Sequence, residues 1–386
     1  MKRLFTFILT LTMAFSFCVN SFAAAATTTT ATETTAATAA TTEASADTSS
    51  TQTTGASYGT SKLSGAPDIV AESAVVMDAG TGTVLYGKEA STKRYPASIT
   101  KVMTALLAVE NCNMSDIITY SNAAVNGIEA GSSTAGINVG AKLTVEDSLY
   151  ALMLVSANEA AAAIAEHISG STTEFAKLMT KRAKELGCKN TQFKNPHGLP
   201  DEEHYTTAYD MGLILKEAMK HPEFRKIAGT ISYTLKKSDS LTDTLELWNH
   251  AKILRQNSDY YYEYAKGAKT GFTQVALNTL VTYAKKDNVE LICVILKDHG
   301  ADKSYTDTAN LFKWAFNQVK AVTPLTNFSL KTAMTENSSI DSAKLDQIQL
   351  LNSSYDTNFS VLVKKDFDES TLKTAFKLDE DKKTGR

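Results

Sequence analysis

The sequence predicts an α+β protein: one sheet built from the two ends of a domain and flanked by helices, followed by a small β-rich C-terminal domain. Three observations carry that prediction. A hairpin signal stands near residue 73, a series of helical patterns follows from about residue 98 to 218, and two strand-like runs with a last helix close the domain between 276 and 319. Strands first, helices in the middle and strands last leave the terminal strands to pair and the helices to cover them.

Taken in order, the chain opens with Lys2 and Arg3, an apolar run from Leu4 to Val19 and small residues including Ser21 and Ala23, the pattern of an export signal over 1–23. Phe17 stands where lipid attachment at Cys18 needs a small residue, which argues against a lipoprotein. Residues 24–65 are mostly Thr, Ala and Ser with few large apolar side chains, so burial cannot offset the entropy of ordering them and a disordered spacer is expected. The main domain is expected over 66–320. Ser73–Met77 and Thr83–Tyr86 flank Asp78-Ala79-Gly80-Thr81-Gly82, whose glycines suit a hairpin turn. From Ser98 to Val109, the apolar Val102, Leu106 and Val109 recur at helical spacing. Thr144 with Asp147 three residues on reads as a capping box opening a helix through Leu149, Leu152 and Val155. Further helices are expected at Glu174–Glu185 and Thr207–Ala218. Ala276–Tyr283 and Val289–Leu296 read as strands about the polar turn Lys285-Lys286-Asp287-Asn288, and Tyr305–Val319 as a helix with Leu311, Trp314 and Ala315 on its apolar face. Beyond Val322, strand candidates at Asn327–Lys331 and Phe359–Lys364 mark a β-rich domain over 321–386 that ends in a charged run from Asp379.

With 386 residues and 43% apolar content the chain can bury one large core and a smaller second one, and a net charge of -3 argues against a nucleic-acid partner. Removing the signal leaves Cys112, Cys188 and Cys293, an odd number without paired spacing, so neither a disulfide framework nor a structural zinc is expected. Cys293, inside the apolar run Leu291–Leu296, reads as a buried small hydrophobe. No second stretch is apolar for long enough to cross a bilayer.

Three short elements carry chemistry. In Ser98-Ile99-Thr100-Lys101, residues three apart on a helix share a face, so the Lys101 amine can approach the Ser98 hydroxyl. A serine hydroxyl is a weak nucleophile that needs a base, and lysine serves only when desolvation or a neighbouring cation keeps it neutral. Ser156-Ala157-Asn158 stands late in the second helical pattern, where polar residues ordinarily cap or face solvent; in the catalytic reading Ser156 relays a proton to the leaving amine, while Asn158 holds a substrate carbonyl and Lys101. Lys269-Thr270-Gly271-Phe272-Thr273 stands just ahead of a strand. There Lys269 can bind a substrate carboxylate and help keep Lys101 neutral, Thr270 or Thr273 can add hydroxyls, and Gly271 clears room for a peptide on the strand edge. A second Lys-Thr-Gly at 383–385 has no such surroundings.

Ser-x-x-Lys, Ser-x-Asn and Lys-Thr-Gly in that order form the motif set of penicillin-binding proteins and serine β-lactamases. Tyr95-Pro96-Ala97-Ser98-Ile99-Thr100-Lys101-Val102-Met103-Thr104-Ala105 resembles the low-molecular-mass D-alanyl-D-alanine carboxypeptidases, as do Asn195–Pro200, His204–Met211 and Lys266-Gly267-Ala268. The resemblance runs from about Ala66 to Gln318. It implies a β-lactamase-like sheet flanked by helices, Ser98 at the base of a cleft, and His197 and His204 as structural loop residues. It also implies a mechanism. Neutral Lys101 takes the Ser98 proton as the oxygen attacks between two terminal D-alanines, and the Ser98 and Phe272 N–H groups hold the oxyanion. Ser156 protonates the departing D-alanine, and water then hydrolyses the acyl-enzyme without metal or organic cofactor. The implied partners are wall stem peptides and, as inhibitors, β-lactams.

Two departures from the relatives stand out. Where they carry Asn-Thr-Asn or Asn-Arg-Asn, whose middle residue helps bind the carboxylate, this chain has Asn249-His250-Ala251, so His250 is the candidate there. A Tyr-rich insert, Tyr260-Tyr261-Tyr262-Glu263-Tyr264, follows it. Relatives often end in an amphipathic membrane-binding helix, a pattern not found at this C-terminus, so a shortened chain or a protein free in the wall space is expected. A β-lactamase of class A uses Glu-x-x-Leu-Asn to activate the deacylating water, but Leu277-Asn278 and Leu351-Asn352 follow Gln274 and Ile348. A D,D-endopeptidase shares all three motifs and remains an alternative, as, less readily, does a non-catalytic wall-binding protein.

Overall fold

The computed structural model describes residues 63–238, 241–323 and 360–369 together with Leu9–Thr10 and Lys377–Leu378. The spacer up to residue 62, the strand expected at Asn327–Lys331, the charged run from Asp379 and, save for Leu9 and Thr10, the export signal lie outside the described residues. The chain divides into two units. In Met1–Thr53 with Asp368–Arg386, β1 (Leu9–Thr10) pairs antiparallel with β13 (Lys377–Leu378). Thr54–Phe367 holds the other elements.

The hairpin forms where its turn residues place it. Strands β2 (Ser73–Asp78) and β3 (Val84–Lys88) pair antiparallel, and the Asp78 carboxylate accepts from the Gly80 and Thr81 N–H groups at 3.2 and 3.0 Å. These strands join β8 (Ala265–Thr273), β9 (Leu277–Lys286) and β10 (Val289–Asp298) in one five-stranded antiparallel sheet of order β3-β2-β10-β9-β8. Both faces of the sheet are covered. Along β2 and β10, Val75, Met77, Ile292, Val294 and Leu296 pack into the core shared with the helical cluster, while Ala74, Val76, Leu291, Cys293 and Ile295 pack beneath α8 (Ala301–Gln318). That two-sided burial explains why 291–296 is a continuous apolar run rather than an alternating one, and Cys293 is fully buried in it.

Between the two halves of the sheet run a 3-10 turn (Ala97–Thr100), α1 (Lys101–Asn111), β4 (Ile117–Thr119), α2 (Asn122–Asn126), β5 (Lys142–Thr144), α3 (Val145–Leu154), α4 (Asn158–Ser169), α5 (Thr172–Glu185), α6 (Ala208–Ala218), α7 (Pro222–Gly229), β6 (Ser232–Leu235) and β7 (Leu245–Trp248). Their starts follow local chemistry: Thr144, Ser171 and Thr207 each accept a hydrogen bond from the N–H three residues on, and Pro222 opens α7, where its missing N–H costs nothing. Periodicity overlooks α4 because it is buried almost all round, Ala160 through Ala165 included, and so shows no apolar stripe. Small two-stranded sheets pair β4 with β5 and β6 with β7. A third pairs β11 (Val319–Val322) with β12 (Val361–Lys364), the strand expected at 359–364.

Candidate active site

Ser98 lies in the tight turn before α1 rather than in the helix itself, and Ala97 just ahead of it adopts a left-handed φ of 50°. Two clamps hold that turn. From the sheet, the Thr279 hydroxyl donates to the Pro96 carbonyl at 2.9 Å. From the loop after α5, Gly198 (φ 93°) passes so close that a Cβ there would fall on the Ala97 carbonyl, and Thr104 donates to the Pro196 carbonyl at 2.6 Å. Asn195 sets the loop by accepting from the Gly198 N–H at 2.7 Å.

Lys101 opens α1, one turn beyond Ser98, and is fully buried. Its Nζ lies 2.6 Å from Asn158 Oδ1, 2.8 Å from the His197 carbonyl and 3.2 Å from Ser98 Oγ. Burial, then the charge of Lys269, push its pKa well below the usual lysine range, against an opposing pull from Glu159. A neutral amine has two hydrogens and one lone pair. Donating to Asn158 and His197 leaves the lone pair to accept from the Ser98 hydroxyl. His197 and His204 stay neutral, burial holding them at about 3 and about 4. Nδ1 of His204 accepts from the Lys194 N–H, so Nε2 carries the proton and donates to Thr100 Oγ1 at 2.9 Å. The two histidines support the site from the loop, as the sequence resemblance implied.

Ser156 is not late in a helix. It stands at the corner between α3 and α4, in left-handed backbone with φ 63°, and its Oγ is buried with no hydrogen-bond partner among the described residues. The break brings Asn158 to Lys101 and Ser156 to the cleft from one short segment. The Asn158 N–H donates to the Ser133 carbonyl at 2.9 Å. Next to it, buried Glu159 Oε1 accepts from Thr134 Oγ1 and the Ala135 N–H at 2.7 Å and from the Gly136 N–H at 3.1 Å, which fixes the loop bearing Gly131, Ser132 and Ser133 along the cleft.

Lys269–Thr273 lies within edge strand β8 rather than ahead of a strand; the run that follows is its neighbour β9. Lys269 is buried, its Nζ donates to the Thr270 carbonyl at 2.8 Å, and burial pushes its pKa down to about 7. A Cβ at Gly271 would fall on the Thr279 hydroxyl and stand 2.8 Å from Ser98 N, so the strand touches the nucleophile turn at a point where no side chain fits. Between β8, the Ser98 turn and the α3–α4 corner opens a cleft of about 320 Å³ lined by Ser98, Ser156, Asn158, Thr270, Gly271 and Phe272, with Thr273 and His250 at its border. His250 is held below the ordinary histidine range by burial of its ring, then by the Lys269 and Arg255 cations, so it reaches the cleft as a neutral ring.

The structure thus gathers the residues of the three motifs together with His250, with Lys101 and Lys269 behind the cleft wall and Ser98, Ser156, Asn158, His250 and Thr270–Thr273 on it. Gly131, Ser132, Ser133, Leu199, Asn278 and Tyr305 also line it; Leu199 lies in the Asn195–Pro200 segment already singled out, while no motif marks the 131–133 loop. Among the described residues, the groups of metal-ligand type, Cys112/Asp116/His167 and Glu110/Glu217/His221, lie away from the cleft, and Arg182 already pairs with Glu110 and Glu217.

A serine served by a buried lysine, at the meeting of a sheet edge and a helical wall, defines an active-site-serine hydrolase. Residues 60–300 match the peptidase S11 family of D-alanyl-D-alanine carboxypeptidases, and the chain belongs to that family. It is 35% identical to the D-alanyl-D-alanine carboxypeptidase DacF of Bacillus subtilis over 315 residues, 80% of this chain and 76% of that protein. A Streptomyces D-alanyl-D-alanine carboxypeptidase is 32% identical over 262 residues, 65% of this chain and 88% of the relative. Among solved structures, a Streptomyces DD-transpeptidase is similar at TM-score 0.60 and 31% identity, covering 65% of this chain and 99% of its own. The D-alanyl-D-alanine carboxypeptidase of Mycobacterium tuberculosis is similar at TM-score 0.59 and 27% identity, covering 65% and 93%.

Proposed function

We propose that this chain is an exported serine D,D-carboxypeptidase that releases the terminal D-alanine of wall pentapeptides through an acyl-enzyme on Ser98. The observation that carries the mechanism is the set of three neighbours around Lys101 Nζ, two acceptors and the Ser98 hydroxyl, in a position where burial and Lys269 favour the neutral amine. Lys101 takes the Ser98 proton as Oγ bonds to the carbonyl carbon between the two D-alanines. The N–H groups of Ser98 and Phe272 receive the oxyanion, which fits the close approach of Gly271 to Ser98 N. The C–N bond breaks, and the proton passes from Lys101 through the unpartnered Ser156 hydroxyl to the leaving D-alanine amine. Water, deprotonated by Lys101, then attacks the ester and frees Ser98. Lys269 and the Thr270 and Thr273 hydroxyls bind the terminal carboxylate, with His250 as a neutral neighbour. The working location is outside the cytoplasmic membrane, in keeping with the export signal over 1–23.

Release of D-alanine from a soluble wall pentapeptide tests this reading, together with a labelled penicillin, whose lactam meets the same nucleophile and oxyanion donors. The label is expected on Ser98, lasting minutes and blocking D-alanine release, with none on Ser98→Ala. Labelling elsewhere, or penicillin turnover of about a hundred per second, an ordinary enzyme rate, would overturn it.

A further inference from the structure

The Tyr-rich insert separates into anchors and one outlier. Tyr260 stacks on Tyr305, Tyr262 on Phe312, and Tyr264 packs on Phe316, with ring centroids 5.5, 5.9 and 6.0 Å apart. Residues 305, 312 and 316 lie on one side of α8, so three tyrosines rivet the insert to that helix. Tyr261 is 39% exposed. It lines a cavity of about 550 Å³ that Trp248, 54% exposed, also lines. Along β7, Leu247 is buried and Trp248 takes the solvent face, where a polar residue is the ordinary choice. Exposed Gln256, Asn257, Glu263 and Lys266 and half-buried Arg255 also line it. On the far side of the Tyr261–Glu263 ridge lies a second cavity of about 490 Å³.

Two exposed aromatic rings ringed by amide, carboxylate and ammonium groups suit a ligand with apolar C–H faces and many hydroxyls. A purely apolar partner would leave those polar groups unpaired. A saccharide satisfies both kinds of group, and two cavities across one ridge suit a chain of sugars rather than a single ring. We propose that this surface binds the sugar backbone of the wall polymer.

The direction of β8 says which sugar strand, and this step rests on the function proposed above. Lys269 and Thr270 take the substrate's terminal carboxylate and Phe272 its scissile carbonyl, so the acyl side of the stem peptide runs toward Thr273. The cavity abuts Ala265 and Lys266, at the other end of the strand. Lys266 lies six residues before Phe272, about 20 Å along β8. The sugars held there belong to a strand neighbouring the one whose peptide is cut, and they hold the enzyme on the polymer while the cleft works on another stem, raising the local concentration of stems.

The test uses wall sugar strands stripped of peptide, and the full chain carrying Ser98→Ala so that cleavage plays no part. The strands are expected to retain this protein in co-sedimentation, with Trp248→Ala and Tyr261→Ala each weakening retention about ten-fold, as for loss of one aromatic anchor. Trp248→Phe keeps the ring face and should recover most of it. With Ser98 intact, Trp248→Ala should raise KM on intact wall and leave kcat/KM on soluble pentapeptide unchanged, which also shows that the variant folds. No retention by the Ser98→Ala protein, or equal retention by the alanine variants, overturns the proposal. Retention without D-alanine release from pentapeptide would sink the function above and leave the sugar site standing.

Discussion

On the helical side of the cleft the reacting groups sit where the backbone is irregular: Ala97 and Ser156 have φ of 50° and 63°, and the Ser98 turn is clamped by the Gly198 loop. On the sheet side, Lys269–Thr273 belongs to a regular antiparallel strand whose register with β9 runs unbroken from Gly267 to Thr273. The helical wall must bring Ser98, Lys101 and Asn158 together at hydrogen-bond distance and set Ser156 on the same cleft, which no regular element of this length does unaided. The sheet wall has only to offer an edge, a charge and a gap at Gly271. Left-handed backbone therefore collects on the wall where proton transfer is proposed, and regularity on the wall proposed to recognise the substrate.

The largest effect should come from Lys101. In Lys101→Arg a guanidinium that cannot deprotonate replaces the base, and Ser98 acylation by labelled penicillin is expected to fall about 10 000-fold. Acylation near the parent rate would mean that the helical wall does not hold the base. Ser156→Gly sharpens the contrast, since glycine accepts the left-handed φ. Stability should rise by about 1 kcal/mol in urea denaturation while D-alanine release falls about 1000-fold. A variant that keeps full activity would take the proton relay away from that corner.

On the sheet side, Gly271→Ala puts a methyl group against Thr279 and Ser98 N. Displacement of the strand from the nucleophile should lower kcat/KM about 100-fold, beyond the loss of about 1–3 kcal/mol in stability that overpacking brings. Glu159→Gln weakens the support of the 131–137 loop, and KM for the peptide should rise about ten-fold, the scale of losing a charged hydrogen bond.

The smallest effect concerns charge at the carboxylate anchor. With its pKa near 7, Lys269 gains a proton as the pH falls through that value, while the substrate carboxylate stays ionised. Peptide affinity of the Ser98→Ala protein, read by calorimetry, should tighten about five-fold between pH of about 8 and about 6. Burial, then the Lys269 and Arg255 cations, lower the pKa of His250 and favour its neutral ring, so His250→Ala should leave the response intact. Loss of the response in that variant would transfer the charge from the strand to the histidine.

Much of this molecule could be read from the chain alone. The hairpin at 73–88, the capping residue Thr144, the strands about 287 and the three catalytic motifs depend on neighbours within a few residues, and local chemistry decides them. The readings that needed correction all involve longer range. A buried helix such as α4 shows no stripe, because every face meets protein. That Lys-Thr-Gly lies inside a strand depends on its pairing with β9, and the corner at Ser156 depends on how two helices pack.

Residue order thus determined which side chains are the candidates for the chemistry and which secondary structure surrounds most of them, since spacing and capping act over one or two turns. Tertiary structure alone decided that Lys101 has three neighbours rather than one. Asn158 and His197 lie 57 and 96 residues further along the chain and reach its amine only when the core closes. Only the packed fold, by excluding water and bringing Lys269 near, depresses the pKa of that amine, because desolvation and the field of a distant charge belong to the enclosed site and not to the sequence around it.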